Sequence, residues 1–167
     1  MSRSIRMRLV VAAASAAIVL PVLVPSTAMA RPSALNLSKF CSTITKAQAA
    51  KILAHKVDVV QAIVGGANAV CVYEVNGSTT AAYVSVYQHT SPKAFAGIEQ
   101  LAKKQFKGTV ITTFKGYPAY RLVVKQTAST TSNRLIILKG TNMLSVGSSI
   151  SSMASVNTLA AAFIKAV

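Results

Sequence analysis

The chain has 167 residues, with 18 lysines and arginines against three acids, a formal charge of +15 when both histidines are neutral. So few carboxylates speak against chemistry that needs them in pairs: a glycoside-cleaving site would have to be drawn from Asp58, Glu74 and Glu99 alone. The positive surplus favours anionic partners, although charge alone specifies no site.

Arg3, Arg6 and Arg8 precede an apolar run of sixteen residues, Leu9 to Val24, interrupted by Pro21 and followed by the small residues Ala28-Met29-Ala30. This pattern predicts a secretory signal peptide over residues 1–30, cleaved before Arg31. The rival is a retained membrane anchor, but a spanning helix needs about 20 apolar residues. There is no twin-arginine pair, and the first cysteine, Cys41, lies well past the cleavage site. The expected product is therefore secreted or cell-wall associated rather than a lipoprotein, with no transmembrane span after cleavage. Its 137 residues keep fifteen basic and three acidic side chains, a net charge of +12, and are long enough for one domain with a proper core. Cys41 and Cys71 are the only cysteines. In an oxidising compartment such a pair predicts one disulfide. Metal binding would need further ligands, and His55 and His89 do not stand at zinc-finger spacing. No metal or cofactor is expected.

Residues 31–40 read as a flexible polar lead, and residues 41–167 as a single domain. Thr45-Lys46-Ala47-Gln48 matches a capping box and opens a helix to about Ala54, with Ala49, Ile52 and Leu53 inward. Residues 55–69 are mixed and end in the loop signal Gly65-Gly66-Ala67-Asn68. Val70 to Val75 reads as a strand, Asn76-Gly77 as a hairpin turn, and Thr79 to Gln88 as the return strand. On that return strand Ala82, Val84 and Val86 share one face, and Tyr83, Ser85 and Tyr87 the other. Ser91-Pro92 opens a second helix whose apolar stripe is Phe95, Ile98, Ala102 and Phe106, with Leu101 beside it. Lys103, Lys104 and Lys107 crowd its end, and Gly108 stops it.

Four strand-like runs follow. Thr109 to Phe114 alternates, Lys115-Gly116-Tyr117-Pro118 turns, and Ala119 to Lys125 alternates again. This second run sets Tyr120, Leu122 and Val124 opposite Arg121, Val123 and Lys125. Residues 126–133 are rich in serine and threonine and read as a loop. Leu135-Ile136-Ile137-Leu138 reads as a central strand covered on both sides. Gly140 to Asn142 turns into Met143–Gly147, and a last helix runs from about Met153 to Ala166, burying Val156, Leu159, Ala160, Phe163 and Ile164. The expected fold is α+β: a single antiparallel sheet of about six strands with three helices packed on it, in the order αββαββββα, held by one disulfide.

The chain resembles a class of small secreted actinobacterial domains of unknown function. Four features carry the resemblance: a cysteine just before a first helix, Phe40-Cys41-Ser42-Thr43-Ile44-Thr45; a second opening a strand, Cys71-Val72-Tyr73; the element Gly116-Tyr117-Pro118-Ala119-Tyr120; and a hairpin over Leu135 to Val146 before a closing helix. Many members look like lipoproteins, whereas this chain lacks the lipid-bearing cysteine. The resemblance implies a sheet-and-helix fold of the type seen in photosystem-associated and sensor-like extracytoplasmic domains. It implies no known activity.

No catalytic motif stands out. There is no Gly-x-Ser-x-Gly elbow. Gly65-Gly66 lacks the lysine and hydroxyl of a phosphate loop. The sequence favours a non-enzymatic envelope protein that binds an anionic wall polymer or another secreted protein. A small hydrolase using a serine with His55 or His89 is the alternative. Nonspecific binding of anionic lipid or nucleic acid through Lys93, Lys103, Lys104, Lys107 and Lys115 is a third reading, with no specific nucleic-acid motif beside them. Tyr83 and Tyr87 project from one side of their strand, and Arg121 and Lys125 from one side of theirs. If those sides coincide, they form an aromatic and cationic ligand site.

Overall fold

A computed structural model describes residues 35–125 and 130–167. The predicted signal segment, the start of the predicted lead and residues 126–129 of the predicted loop lie outside the described residues.

A short 3-10 helix over Leu37–Thr43 comes first, followed by α1 over Lys46–Leu53. The Thr45 hydroxyl accepts from the Gln48 amide while the Gln48 side chain accepts from the Thr45 amide, so the capping box is formed. Three strands follow, β1 over Val57–Gly65, β2 over Asn68–Val75 and β3 over Ser78–Tyr87. The helix α2 covers Pro92–Gln105. Its start is capped by the Ser91 hydroxyl, with proline in the first turn. Then come β4 over Val110–Phe114, β5 over Tyr117–Lys125, β6 over Thr131–Lys139, β7 over Asn142–Ser148, and α3 over Met153–Phe163.

The seven strands form one sheet in the order β1-β2-β3-β7-β6-β5-β4, and every neighbouring pair is antiparallel. Two meanders thus meet where β3 pairs with β7. Asn76 and Gly77 both have positive φ in the β2–β3 turn, as do Lys115 and Gly116 in the β4–β5 turn. Two-residue turns of this kind suit the twist of a hairpin. The α+β class, the single antiparallel sheet and the three α-helices are as expected. The count is corrected to seven strands: β1 occupies most of the stretch expected to be mixed, and a 3-10 helix overlaps the expected lead. Two strands also begin earlier than expected, β5 at Tyr117 and β6 at Thr131.

One face of the sheet carries the main core. Residues such as Val84, Val86, Leu135, Ile137, Leu144 and Val146 pack there against Leu53, Val156, Leu159 and Phe163. The 3-10 helix closes this layer: Phe40 meets Phe163 at 5.0 Å between ring centroids, and the Cys41–Cys71 disulfide ties the helix to β2 with 5.3 Å between Cα atoms. The Ser151 hydroxyl donates to the Leu53 carbonyl at the end of α1, and the Lys139 ammonium donates to the Ile164 carbonyl at the end of α3. Tyr73 is fully buried in this layer, and its hydroxyl has no hydrogen-bond partner among the described residues. The opposite face carries a smaller cluster under α2, formed by Phe95 and Ala102 with Tyr120, Leu122, Ile136 and Leu138. The run Leu135 to Leu138 is therefore covered on both sides, as its continuous apolarity predicts.

A candidate binding cleft under α2

The sheet register decides which side chains share a surface, because residues directly opposite one another lie on one face. Leu122 pairs with Arg134, Arg134 with Gly147, and Gly147 with Tyr83. That row faces α2. The adjacent row runs Arg121, Leu135, Val146, Val84 and faces the main core. The predicted grouping of Tyr83 and Tyr87 with Arg121 and Lys125 is therefore corrected: the tyrosines and these cations occupy opposite faces. Side chains alternate along β3 and along β5, but the relative phase of the two strands depends on β6 and β7 between them.

The cation beside the tyrosines is Arg134. Its guanidinium carbon stands 5.7 Å from the Tyr83 ring centroid, within cation–π range. Tyr83 can lie flat because its partner across the strand pair is a glycine; a Cβ on Gly147 would come within 2.5 Å of the ring. The sequence reading missed Arg134 because it lies between the stretch read as a loop, residues 126–133, and the strand read from Leu135, and so received no face. Extending β6 backwards from its two-residue turn with β7 would have placed Arg134 opposite Gly147.

Between α2 and this face lies a cleft of about 360 Å³. From the helix, Ile98, Leu101, Ala102 and Gln105 line it, a stripe at helical spacing. From the sheet come Tyr87, Tyr120, Leu122, Arg134, Ile136, Met143 and Ser145. The apolar stripe of α2 is thus only partly core. Phe95 and Ala102 are buried, whereas Ile98 is 36% and Leu101 56% exposed at the cleft. Tyr87 is also exposed there.

Arg134 makes no ion pair among the described residues, where the pairs formed are Lys56–Asp58 and Lys103–Glu99. Its Nε–H is shielded from solvent and meets no acceptor among the described residues. A shielded donor is costly unless something accepts from it. Glu99 is held by Lys103, one turn on, at 3.4 Å. The Tyr120 hydroxyl is pushed up to about 12, mainly by burial, then by the charge of Glu99 and by Tyr83. Tyr120 therefore stays protonated across the physiological range.

The remaining predicted residues are spread over the molecule. Arg121 borders a shallow hollow with Asn133 and Met153, and Lys125 lies with Lys107 near the end of α2. Lys103, Lys104 and Lys107 are exposed together at the C-terminal end of α2, where the helix dipole favours cations. Lys93 lies in the first turn of that helix, and Lys115 in the β4–β5 turn. His55 follows α1 and His89 sits in the β3–α2 connection with φ of 62°. Neither lines the cleft or pairs with a carboxylate among the described residues. No group of three metal-ligating side chains occurs among the described residues.

No family model matches the chain, and no curated protein matches it. A solved structure of a Pseudomonas aeruginosa protein of unknown function, described as a candidate regulator, aligns with 65% of this chain and 94% of its own at 13% identity and a TM-score of 0.27. At that level of likeness nothing carries over to this chain.

Proposed function

We propose that the protein is an exported, non-enzymatic binding domain of the cell envelope that takes an anionic ligand in the cleft under α2. The observation that carries this reading is Arg134, a cation with no ion pair among the described residues, in the wall of a largely apolar cleft. The disulfide suits an oxidising compartment outside the cytoplasm, in keeping with the export signal read in the sequence and with the class of secreted domains the chain resembles. No helix among the described residues is long and apolar enough to cross a membrane. A cleft of this volume belongs at the small end of ligand sites, which span about 300–1,000 Å³. It suits a small ligand or the terminal unit of an envelope polymer. The lysines at the end of α2 supply a positive approach for either.

The test uses anilinonaphthalene sulfonate, a fluorescent aromatic monoanion. One site per chain is expected, weakened about tenfold or more by Arg134→Gln, since a hydrogen bond to a charged partner contributes about 1.5–3 kcal/mol. Arg121→Gln, on the opposite face, should leave binding unchanged. Equal affinity for wild type and Arg134→Gln would remove the basis of the proposal.

A further inference from the structure

We infer that the ligand of this cleft is a single-chain acyl carboxylate, an amphiphile with one negative charge and an unbranched apolar tail. The inference rests on the anion-binding reading above and adds the chemical class.

Three observations converge. The first is charge count. Arg134 is the one cation lining the cleft among the described residues, and Glu99 stands close enough to act on the adjoining Tyr120 hydroxyl. Lys103 neutralises Glu99 by pairing with it, so the site as a whole offers compensation for a single negative charge. A dianion or a polyanion would carry charge that nothing in the cleft offsets.

The second is the shape of the donor. The Arg134 guanidinium is held beside the Tyr83 ring, its carbon 5.7 Å from the ring centroid, which leaves its planar N–H groups as the donors for a ligand. The guanidinium of Arg134 lines the cleft, and a planar carboxylate fits two adjacent guanidinium N–H groups with two parallel hydrogen bonds.

The third is the surface around that guanidinium. Ile98, Leu101, Phe106, Leu122, Ile136 and Met143 are apolar and all line the cleft. Leu101 is the most exposed of them, although α2 has its polar side available for solvent. An apolar chain would cover what the fold leaves wet. Methionine and leucine adapt to an unbranched tail, having no polar group to satisfy.

The experiment is displacement of anilinonaphthalene sulfonate by hexanoate, octanoate, decanoate and dodecanoate, each below its micellar concentration. Affinity is expected to rise about fourfold per methylene, from a transfer value of about 0.8 kcal/mol per CH₂, until the cleft is filled. Decanol should bind wild type about tenfold more weakly than decanoate, yet bind Arg134→Gln and wild type alike. Decyl phosphate should bind more weakly than decanoate. Leu101→Gln, at an exposed position that the fold tolerates, should flatten the chain-length series while leaving the unfolding midpoint in place. Affinity independent of chain length, or a preference for decyl phosphate, retires the acyl carboxylate. The anion-binding reading survives that result if sulfonate binding still depends on Arg134. Sulfonate binding indifferent to Arg134→Gln retires both.

Discussion

Gly147 and Tyr83 face each other across β7 and β3, and the ring lies over the glycine so closely that a Cβ would meet Cε1 at 2.5 Å. Arg134, next in the same row, reaches over that ring. A side chain missing from one strand thus sets the ring on the next, and the ring sets the cation of the cleft. Gly147→Ala should push the ring away and destabilise the fold by about 1–3 kcal/mol in urea denaturation, the usual cost of overpacking. In a Tyr83→Ala background the same change should cost less than about 0.5 kcal/mol. An equal cost in both backgrounds would show that the ring is not what the glycine accommodates.

Tyr73 presents the opposite situation, a polar group where the fold has no use for one. Its hydroxyl is buried in the main core without a partner among the described residues. Tyr73→Phe removes that hydroxyl and keeps the ring, so the variant should be more stable than wild type by about 1 kcal/mol or more in urea denaturation. A loss of stability would mean that the hydroxyl is satisfied.

Both buried tyrosines make the fold sensitive to alkali. Burial raises Tyr73 above the ordinary tyrosine range, and burial, Glu99 and Tyr83 raise Tyr120 to about 12. An unfolded tyrosine loses its proton near pH 10. Below pH 10 both states are protonated and the contribution to stability is complete. As pH rises from 10 towards 12 the unfolded state ionises first, and stability falls by about 1.4 kcal/mol per pH unit for each tyrosine. Tyr73→Phe should remove one of the two contributions and make the decline shallower. Equal slopes for wild type and variant in that window would contradict this assignment.

The Cys41–Cys71 bridge encloses a segment with a sequence separation of 30 that includes all of α1 and β1. Chain-entropy reasoning gives about 3.5 kcal/mol of stabilisation for such a loop. The Cys41→Ala, Cys71→Ala double variant should lose about that much in urea denaturation. It should also lose hydrogen-exchange protection first at the 3-10 helix, which then depends on packing such as the Phe40–Phe163 contact. Unchanged stability would place the ordering of this helix wholly in its packing.

Much of this architecture is written locally, and the failures have physical causes. Thr45 and Gln48 form the capping box their spacing predicts, and Asn76-Gly77 turns the hairpin that its composition demands. β1 escaped because its alternation is broken by a register shift between Val57 and Val59, and because most of this edge strand is exposed on both faces. Val59, Ile63 and Val64 therefore give no period-two signal of inside and outside. The 3-10 helix depends on partners far away in sequence, Cys71 and Phe163. Of the site, Tyr83 and Tyr87 were legible and the cation was not. Choosing between Arg121 and Arg134 needs the phase of four strands at once, and one residue of slip exchanges the faces.

The most direct measurement is a crystal structure with decanoate bound. The carboxylate should lie about 2.7–2.9 Å from two nitrogens of the Arg134 guanidinium, with the chain between Leu101 on α2 and Met143 on β7. A carboxylate bound instead among Lys103, Lys104 and Lys107, with the cleft empty, would contradict the assignment.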